Sequence, residues 1–342
     1  MKAAIFHEFG GPEVLRIEDV PVPEIGPDEA LVRVRAAGLN RLDLMMRAGH
    51  TPVKPILPHI SGSEVAGELV KVGENIKDFT PGQHVAIAPY LHDGTCVYCL
   101  RGEETTCLNG EILGLRTDGG HAEFVVVPGN SLVAMPEELS FEDAAAQTFT
   151  TITAWHMLVT KAGIHPGETV LVLAAGSGVG VAAIQIAKLW GARVIATSSR
   201  DENLQKALEL GADEVINYAE RDFSKEARAM TDRLGVDVVV EHVGSETWDK
   251  SMASVARNGR VVVCGSTTGS GASLQLSTLF SRQIMVIGSY GGTREDLAEV
   301  LRLTADGRLK AIIDRTYPLD EIQAAQEYLD SRKQFGKIIF TP

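Results

Sequence analysis

The chain has 342 residues, 44% hydrophobic and 23% charged, which suggests two folded domains with ample cores. Its formal net charge of −13 at pH 7 argues against nucleic acid or an anionic membrane as the main partner. No apolar run approaches the roughly 20 residues of a membrane span. Residues 1–7 are too short an apolar stretch for a signal peptide, so the expected location is the cytoplasm.

The first 130 residues read as strands and turns. Residues 30–36 alternate as a half-buried strand does, and residues 80–87 form a turn feeding another strand. Pro21, Pro23, Pro27, Pro52, Pro55 and Pro58 punctuate long loops. Three of the four cysteines, Cys96, Cys99 and Cys107, sit close together, which suits a metal site better than a disulfide framework.

From about residue 141 the texture changes to alternating helix and strand. Residues 169–180 are an apolar, β-rich run that breaks into a small-residue turn and enters a helix at 181–190. A strand at 192–197 follows. This is one βαβ unit with a dinucleotide pyrophosphate seat at its first turn. Small residues let the backbone approach the phosphates, and the helix N-terminus holds the anion. A helix at 202–210, with Asp201 as its N-cap, precedes strands at 214–216, 236–240, 260–264 and 284–287. Together these make a doubly wound parallel sheet. Cys264 is read as a buried residue ending its strand. The tail carries a helix near 321–329 and a last strand at 337–340. The fold class is therefore α/β.

NAD-binding chains usually carry an acidic residue at the end of the second strand, where it bonds the ribose hydroxyls. Here Ser198 takes that place, followed by Ser199 and Arg200. Nothing at this point repels a 2′-phosphate, and Arg200 can pair with it. The expected cofactor is NADPH.

Several motifs together are similar to the medium-chain dehydrogenase/reductase family: Lys2-Ala-Ala, Gly10-Gly-Pro-Glu-Val-Leu15, Ala37-Gly-Leu-Asn-Arg-Leu-Asp43, Gly62-Ser-Glu-Val-Ala-Gly67, Gly119-Gly-His-Ala-Glu-Phe124 and Gly336-Lys337. The resemblance runs over nearly the whole chain. It implies a GroES-like catalytic domain of residues 1–150 and 289–342, a Rossmann domain of residues 151–288 inserted between them, and hydride transfer in the cleft. It further implies that Ala175, Ser177 and Gly180 are the three glycine positions of the pyrophosphate turn, with Gly178 and Val179 between them. Arg41 and Lys337 match basic positions that reach the pyrophosphate. The strand ends His242, Val243 and Gly244, and Cys264, Gly265 and Ser266, match positions on the nicotinamide side of the crevice. A homo-oligomer, dimer or tetramer, is expected through the edge strand at 284–287.

The same resemblance implies that the catalytic zinc of the family's alcohol dehydrogenases is missing. Asn40, Ser63 and Phe149 stand where those enzymes place the ligands, and none is a good zinc ligand. His59 is the alternative ligand if the alignment slips. Leu42 stands where a Ser or Thr passes the substrate proton. The pattern at Asn40 and Asp43 resembles the zinc-free quinone oxidoreductase and enone reductase branch, in which both residues line the cleft. Their plainer roles are a loop cap for Asn40 and a helix N-cap for Asp43. The second zinc lobe of the family survives in spacing as Asp93, Cys96, Cys99 and Cys107. His92 can replace Asp93 if the loop shifts by one residue.

The expected function is hydride transfer from NADPH to a small molecule, a quinone or an α,β-unsaturated carbonyl. The proton donor is open among Tyr90, Asp43 and water. The competing readings are a zinc-type alcohol or aldehyde dehydrogenase and a non-catalytic NADPH-binding protein.

Overall fold

The computed structural model describes all 342 residues, Met1–Pro342. The chain divides into two compact units, one of Met1–Ile152 with Gly292–Pro342, the other of Thr153–Gly291.

The first unit is organised around the strand Glu29–Leu39. It pairs antiparallel with Glu64–Val72, with Phe124–Pro128 and with the final strand Lys337–Thr341. These belong to a seven-stranded sheet whose path is completed by Leu132–Ala134, His84–Ile87 and Ile313–Pro318. The helix Phe141–Gln147 packs on the central strands. That explains a departure from the expected alternation: only Arg33 and Arg35 of the central strand are exposed, because most of it is covered on both faces. Its inward residues Val32 and Val34 meet Leu69, Val85, Ile87, Val125 and Leu132 in one core. A second core gathers Phe6, Leu15, Leu39, Ile322, Leu329 and Phe340 from both ends of the chain. Three-stranded pairing of Lys2–Phe6 with Leu15–Asp19 and His59–Ile60 closes this side.

The second unit is a six-stranded, all-parallel sheet. Its spatial order is Glu214–Asn217, Arg193–Ser198, Thr169–Val172, Val236–Glu241, Val255–Val263 and Met285–Gly288. The strand order reverses between Thr169–Val172 and Val236–Glu241, the position where doubly wound sheets open a ligand crevice. Buried aliphatic residues of both middle strands meet Phe223 and Trp248 from the covering helices. The fifth strand starts at Val255 and ends at Val263. Cys264 therefore lies beyond it and is half-buried, not a strand residue as expected. Arg200, not Asp201, is the N-cap of the helix Asp201–Glu209. A π-helical segment at His156–Lys161 has no counterpart in the sequence reading. No helix is long and apolar enough to cross a membrane.

The tail strand is part of the first unit's core. Phe340 is fully buried, and its ring meets His121 edge-on at 5.1 Å between centroids. Phe340→Ala should therefore destabilise the protein by about 3–5 kcal/mol, read as a lowered urea midpoint. An unchanged midpoint would show that the tail does not hold this unit together.

Candidate active site

Gly38 lies opposite Glu64 in the antiparallel register, so Asn40 and Ser63 leave this strand pair at the same end. Asn40 is the residue before the helix Arg41–Arg47. Asp43, at the third helical position, reaches back to accept the Asn40 backbone N–H at 2.8 Å, one half of a capping box. Its other oxygen accepts the Gly62 N–H at 3.1 Å. Asp43 is fully buried and spends its carboxylate on these two amides. It is therefore part of a helix cap, though not the N-cap residue itself.

Lys337 occupies a place different from the expected one. Its side chain is buried, and Nζ donates to Leu39 O at 2.9 Å and to Asn40 Oδ1 at 2.7 Å. Glu64 Oε2 forms an ion pair with the same nitrogen at 2.9 Å. Three oxygens thus surround the ammonium, and no N–H is left for a pyrophosphate. Because Oδ1 of Asn40 faces the ammonium, its Nδ2 is turned away from Lys337, and it makes no hydrogen bond within the chain. Glu64 is fully buried, and burial pushes its pKa up to about 7, against the opposing pull of Lys337 and Asn40; Asp43 adds to the rise. Gly38 makes room for this carboxylate, since a Cβ there would sit 1.7 Å from Glu64 Oε2.

These residues do not fit a catalytic zinc. The only oxygen Asn40 offers is held by an ammonium, which would repel a dication. The Ser63 hydroxyl is buried without a hydrogen-bond partner. Phe149 stacks on Tyr90 at 5.5 Å, an aromatic pair with no donor atom on the Phe149 side. His59 does not step in: its Nε2 lies 2.9 Å from Gly114 O.

The cysteine lobe does fit a metal. The ligand atoms of Asp93, Cys96, Cys99 and Cys107 all lie within 4.8 Å of one another. Cys96 Sγ is 3.5 Å from Cys99 Sγ and 3.9 Å from Cys107 Sγ. Zinc–sulfur bonds of about 2.3 Å in a tetrahedron place sulfurs roughly 3.8 Å apart, far beyond a disulfide. Asp93 accepts the backbone N–H groups of Cys96 and Thr95 and the Asn109 amide, which hold its carboxyl well below the usual range. His92 turns away toward Tyr90 O and Glu104.

In the second unit, Ser177 caps the helix Gly178–Leu189 by accepting the Gly180 N–H at 2.9 Å. A Cβ on Gly180 would lie 2.4 Å from Ala174 O, so the third glycine position demands glycine for close turn–helix packing. The Ser177 hydroxyl also lies 3.0 Å from His242 Nε2, a contact the sequence reading missed. Ser198 is buried and accepts the Arg200 N–H at 3.2 Å, while Ser199 is exposed. Arg200 pairs with Glu202 at 3.1 Å, a surface contact worth about 0–1 kcal/mol that a phosphate can displace. The amides of Val243 and Gly244 are spent on Glu241 Oε1. Gly265 and Ser266 follow the end of the neighbouring strand. Arg41 is paired with Asp330 at 3.1 Å.

Comparison with known proteins agrees with this architecture. The zinc-binding dehydrogenase family matches residues 178–306, and the alcohol dehydrogenase GroES-like domain matches residues 26–137. An NAD-dependent alcohol dehydrogenase of Sulfolobus acidocaldarius is 36% identical over 98% of both chains. An acryloyl-coenzyme A reductase of Sulfurisphaera tokodaii is 34% identical over 96% of both. A crystal structure of an NAD-dependent alcohol dehydrogenase superposes with a TM-score of 0.95 at 42% identity, covering 100% of both chains. The chain belongs to the zinc-type medium-chain dehydrogenase/reductase family, a family of oxidoreductases.

Two outcomes follow from the geometry. The folded-state pKa of Glu64 is raised above its ordinary 4.5, so the folded chain binds the extra proton between pH 4.5 and about 7. Stability from this group is complete below pH 4.5 and is lost as pH rises through about 7. His59 and His121 are depressed by burial and act with the opposite sign. The measurement is therefore a difference: the melting temperature of the wild type minus that of Glu64→Gln should fall from pH 4.5 to 7 and then level off. A flat difference would refute the buried-carboxyl assignment. For the lobe, elemental analysis should find one zinc per chain, lost in Cys107→Ser; two per chain would contradict the ligand assignment at Asn40, Ser63 and Phe149.

Proposed function

We propose that this protein is a nicotinamide-dependent reductase of α,β-unsaturated carbonyl compounds that works without a catalytic zinc. The observation that carries the reading is the Lys337 ammonium lodged against Asn40 and Glu64, where a metal-dependent alcohol dehydrogenase needs a dication's ligands.

The chemistry follows from what remains. Alcohol oxidation needs an electrophile that stabilises the alkoxide. A conjugated carbonyl needs less, because the incoming charge spreads to the carbonyl oxygen, where one hydrogen-bond donor can hold it. Asn40 is that donor: Lys337 pins Oδ1 and so orients Nδ2. Lys337 and Glu64 act through Asn40 and serve as positioning residues. Asp43 fixes the helix start beneath them. Tyr90 remains the candidate proton donor and, with Phe149, offers a flat apolar wall. The second unit fits a dinucleotide through the Gly180 turn and the capped helix start, with Ala175, Ser177, Gly178 and Val179 lining it. The cofactor supplies the hydride when bound. Ser198, Ser199 and Arg200 favour NADPH, since no carboxylate stands at the strand end.

The similarity to an acryloyl-coenzyme A reductase supports a conjugated thioester as the substrate class. It lends nothing to quinones, which stay in the proposal only through their shared electronics. The second reading, a zinc-type alcohol dehydrogenase acting with NAD, is favoured by the names of two relatives. We further propose a homo-oligomer formed through the edge strand Met285–Gly288, where Met285 and Val286 are exposed beside Phe280 at 72% exposure.

The test is a substrate panel run with NADPH and with NADH: acryloyl-coenzyme A, an enone, a quinone, and ethanol or benzyl alcohol with the oxidised cofactors. Enoyl reduction with NADPH preferred is expected. Asn40→Ala should lower kcat/KM by roughly 100- to 1,000-fold, the loss typical of an oxyanion donor worth about 2.7–4 kcal/mol. Efficient alcohol oxidation with no enoyl or quinone turnover would establish the second reading instead.

A further inference from the structure

Two hydrogen bonds meet at the Ser177 hydroxyl. The Gly180 backbone N–H donates to Ser177 Oγ at 2.9 Å. The hydroxyl keeps its own hydrogen and a second lone pair for its other neighbour, His242 Nε2, at 3.0 Å, so this bond runs in either direction according to the histidine tautomer. When the hydroxyl donates, Nε2 carries no proton and the ring's single hydrogen sits on Nδ1. Burial pushes the pKa of His242 down to about 4, so the ring is neutral at pH 7. Nδ1 is buried and has no hydrogen-bond partner in the chain.

The location gives that unused donor a meaning. Ser177 follows the strand Thr169–Val172, and His242 follows Val236–Glu241. These two strands are neighbours and flank the point where the strand order reverses. The Ser177–His242 bond thus joins the two lips of the switch-point crevice. A dinucleotide crosses such a crevice with its pyrophosphate at the N-terminus of the first helix, which here is capped by Ser177 itself.

We propose that the Ser177 hydroxyl is the donor in this pair and that His242 is a cofactor-binding residue: its Nδ1–H, set in that tautomer by Ser177, donates to the pyrophosphate of the bound dinucleotide. The proposal rests on the dinucleotide reading above. The sequence places His242 only at a strand end on the nicotinamide side of the crevice; its bond to Ser177 gives it this specific role. It also gives the serine of the turn a second task besides capping: a glycine there would leave the histidine tautomer undetermined.

Titration calorimetry on the full chain tests this with two probes, ADP-ribose, which contains the pyrophosphate, and AMP, which ends at the first phosphate. His242→Phe should weaken ADP-ribose roughly 10- to 100-fold, the range for a hydrogen bond to a charged group, and leave AMP within about twofold. His242→Asn, whose amide can donate from nearly the same place as Nδ1, should recover most of the ADP-ribose affinity. Long-range ¹⁵N correlation spectra of the unliganded wild type should show the proton on Nδ1, with Nε2 bare. The inference is overturned if His242→Phe leaves ADP-ribose unchanged, if it weakens both probes equally, if His242→Asn behaves like His242→Phe, or if the spectra show the other tautomer. Wild type that binds neither probe would instead bring down the dinucleotide reading, and the role of His242 with it.

Discussion

A single buried ammonium governs the first unit. Lys337 sits on the last strand, yet its nitrogen is held by oxygens that follow one strand and begin another, Leu39 and Asn40 on one side and Glu64 on the other. A charge taken out of water costs several kcal/mol unless every bond it can make is made. The strand ends therefore cannot drift without exposing a deficit, and the register from Gly38 to Glu64 is locked by the same requirement. The Asn40 amide inherits its orientation from this arrangement. What a metal would do by coordination, here one cation does by fixing which face of an amide is presented.

The two units show opposite ways of preparing a polar group. In the first, the Asp43 carboxylate and the Lys337 ammonium find their partners within the chain, and with Glu64 they form a buried support. In the second, the Ser177 hydroxyl holds the His242 ring by one nitrogen and the other is left without a partner. A satisfied network holds its shape. An unpartnered polar nitrogen at the crest of a parallel sheet is a demand for a partner.

Much of the fold could be read from local pattern. The strand–turn–helix around Gly180 announces itself by composition. The lobe spacing places Cys96, Cys99 and Cys107 around Asp93. Reading failed where the contact is distant in sequence or the boundary is fine. A lysine opening a strand is by default exposed, and nothing local says that Lys337 reaches Asn40, 297 residues away. Glu64 looked like part of a family motif rather than a buried partner. Asp43 was within reach, because an acid three residues after an N-cap is a capping-box signal. Cys264 and Asp201 were each misplaced by about one residue, the usual error at element ends. His242 was legible as a strand-end residue at the crevice, but its bond to Ser177, 65 residues away, was not.

The placement of the final strand also sets an order of assembly. Residues Thr153–Gly291 are contiguous, so the parallel sheet can close on itself as soon as it leaves the ribosome. The other unit cannot. Its central strand Glu29–Leu39 waits for Lys337–Thr341, synthesised some 300 residues later, and until then Glu64 has no cation beside it. During synthesis the early half carries an unpaired sheet edge and an uncompensated acid, the combination most exposed to mispairing and to chaperone capture.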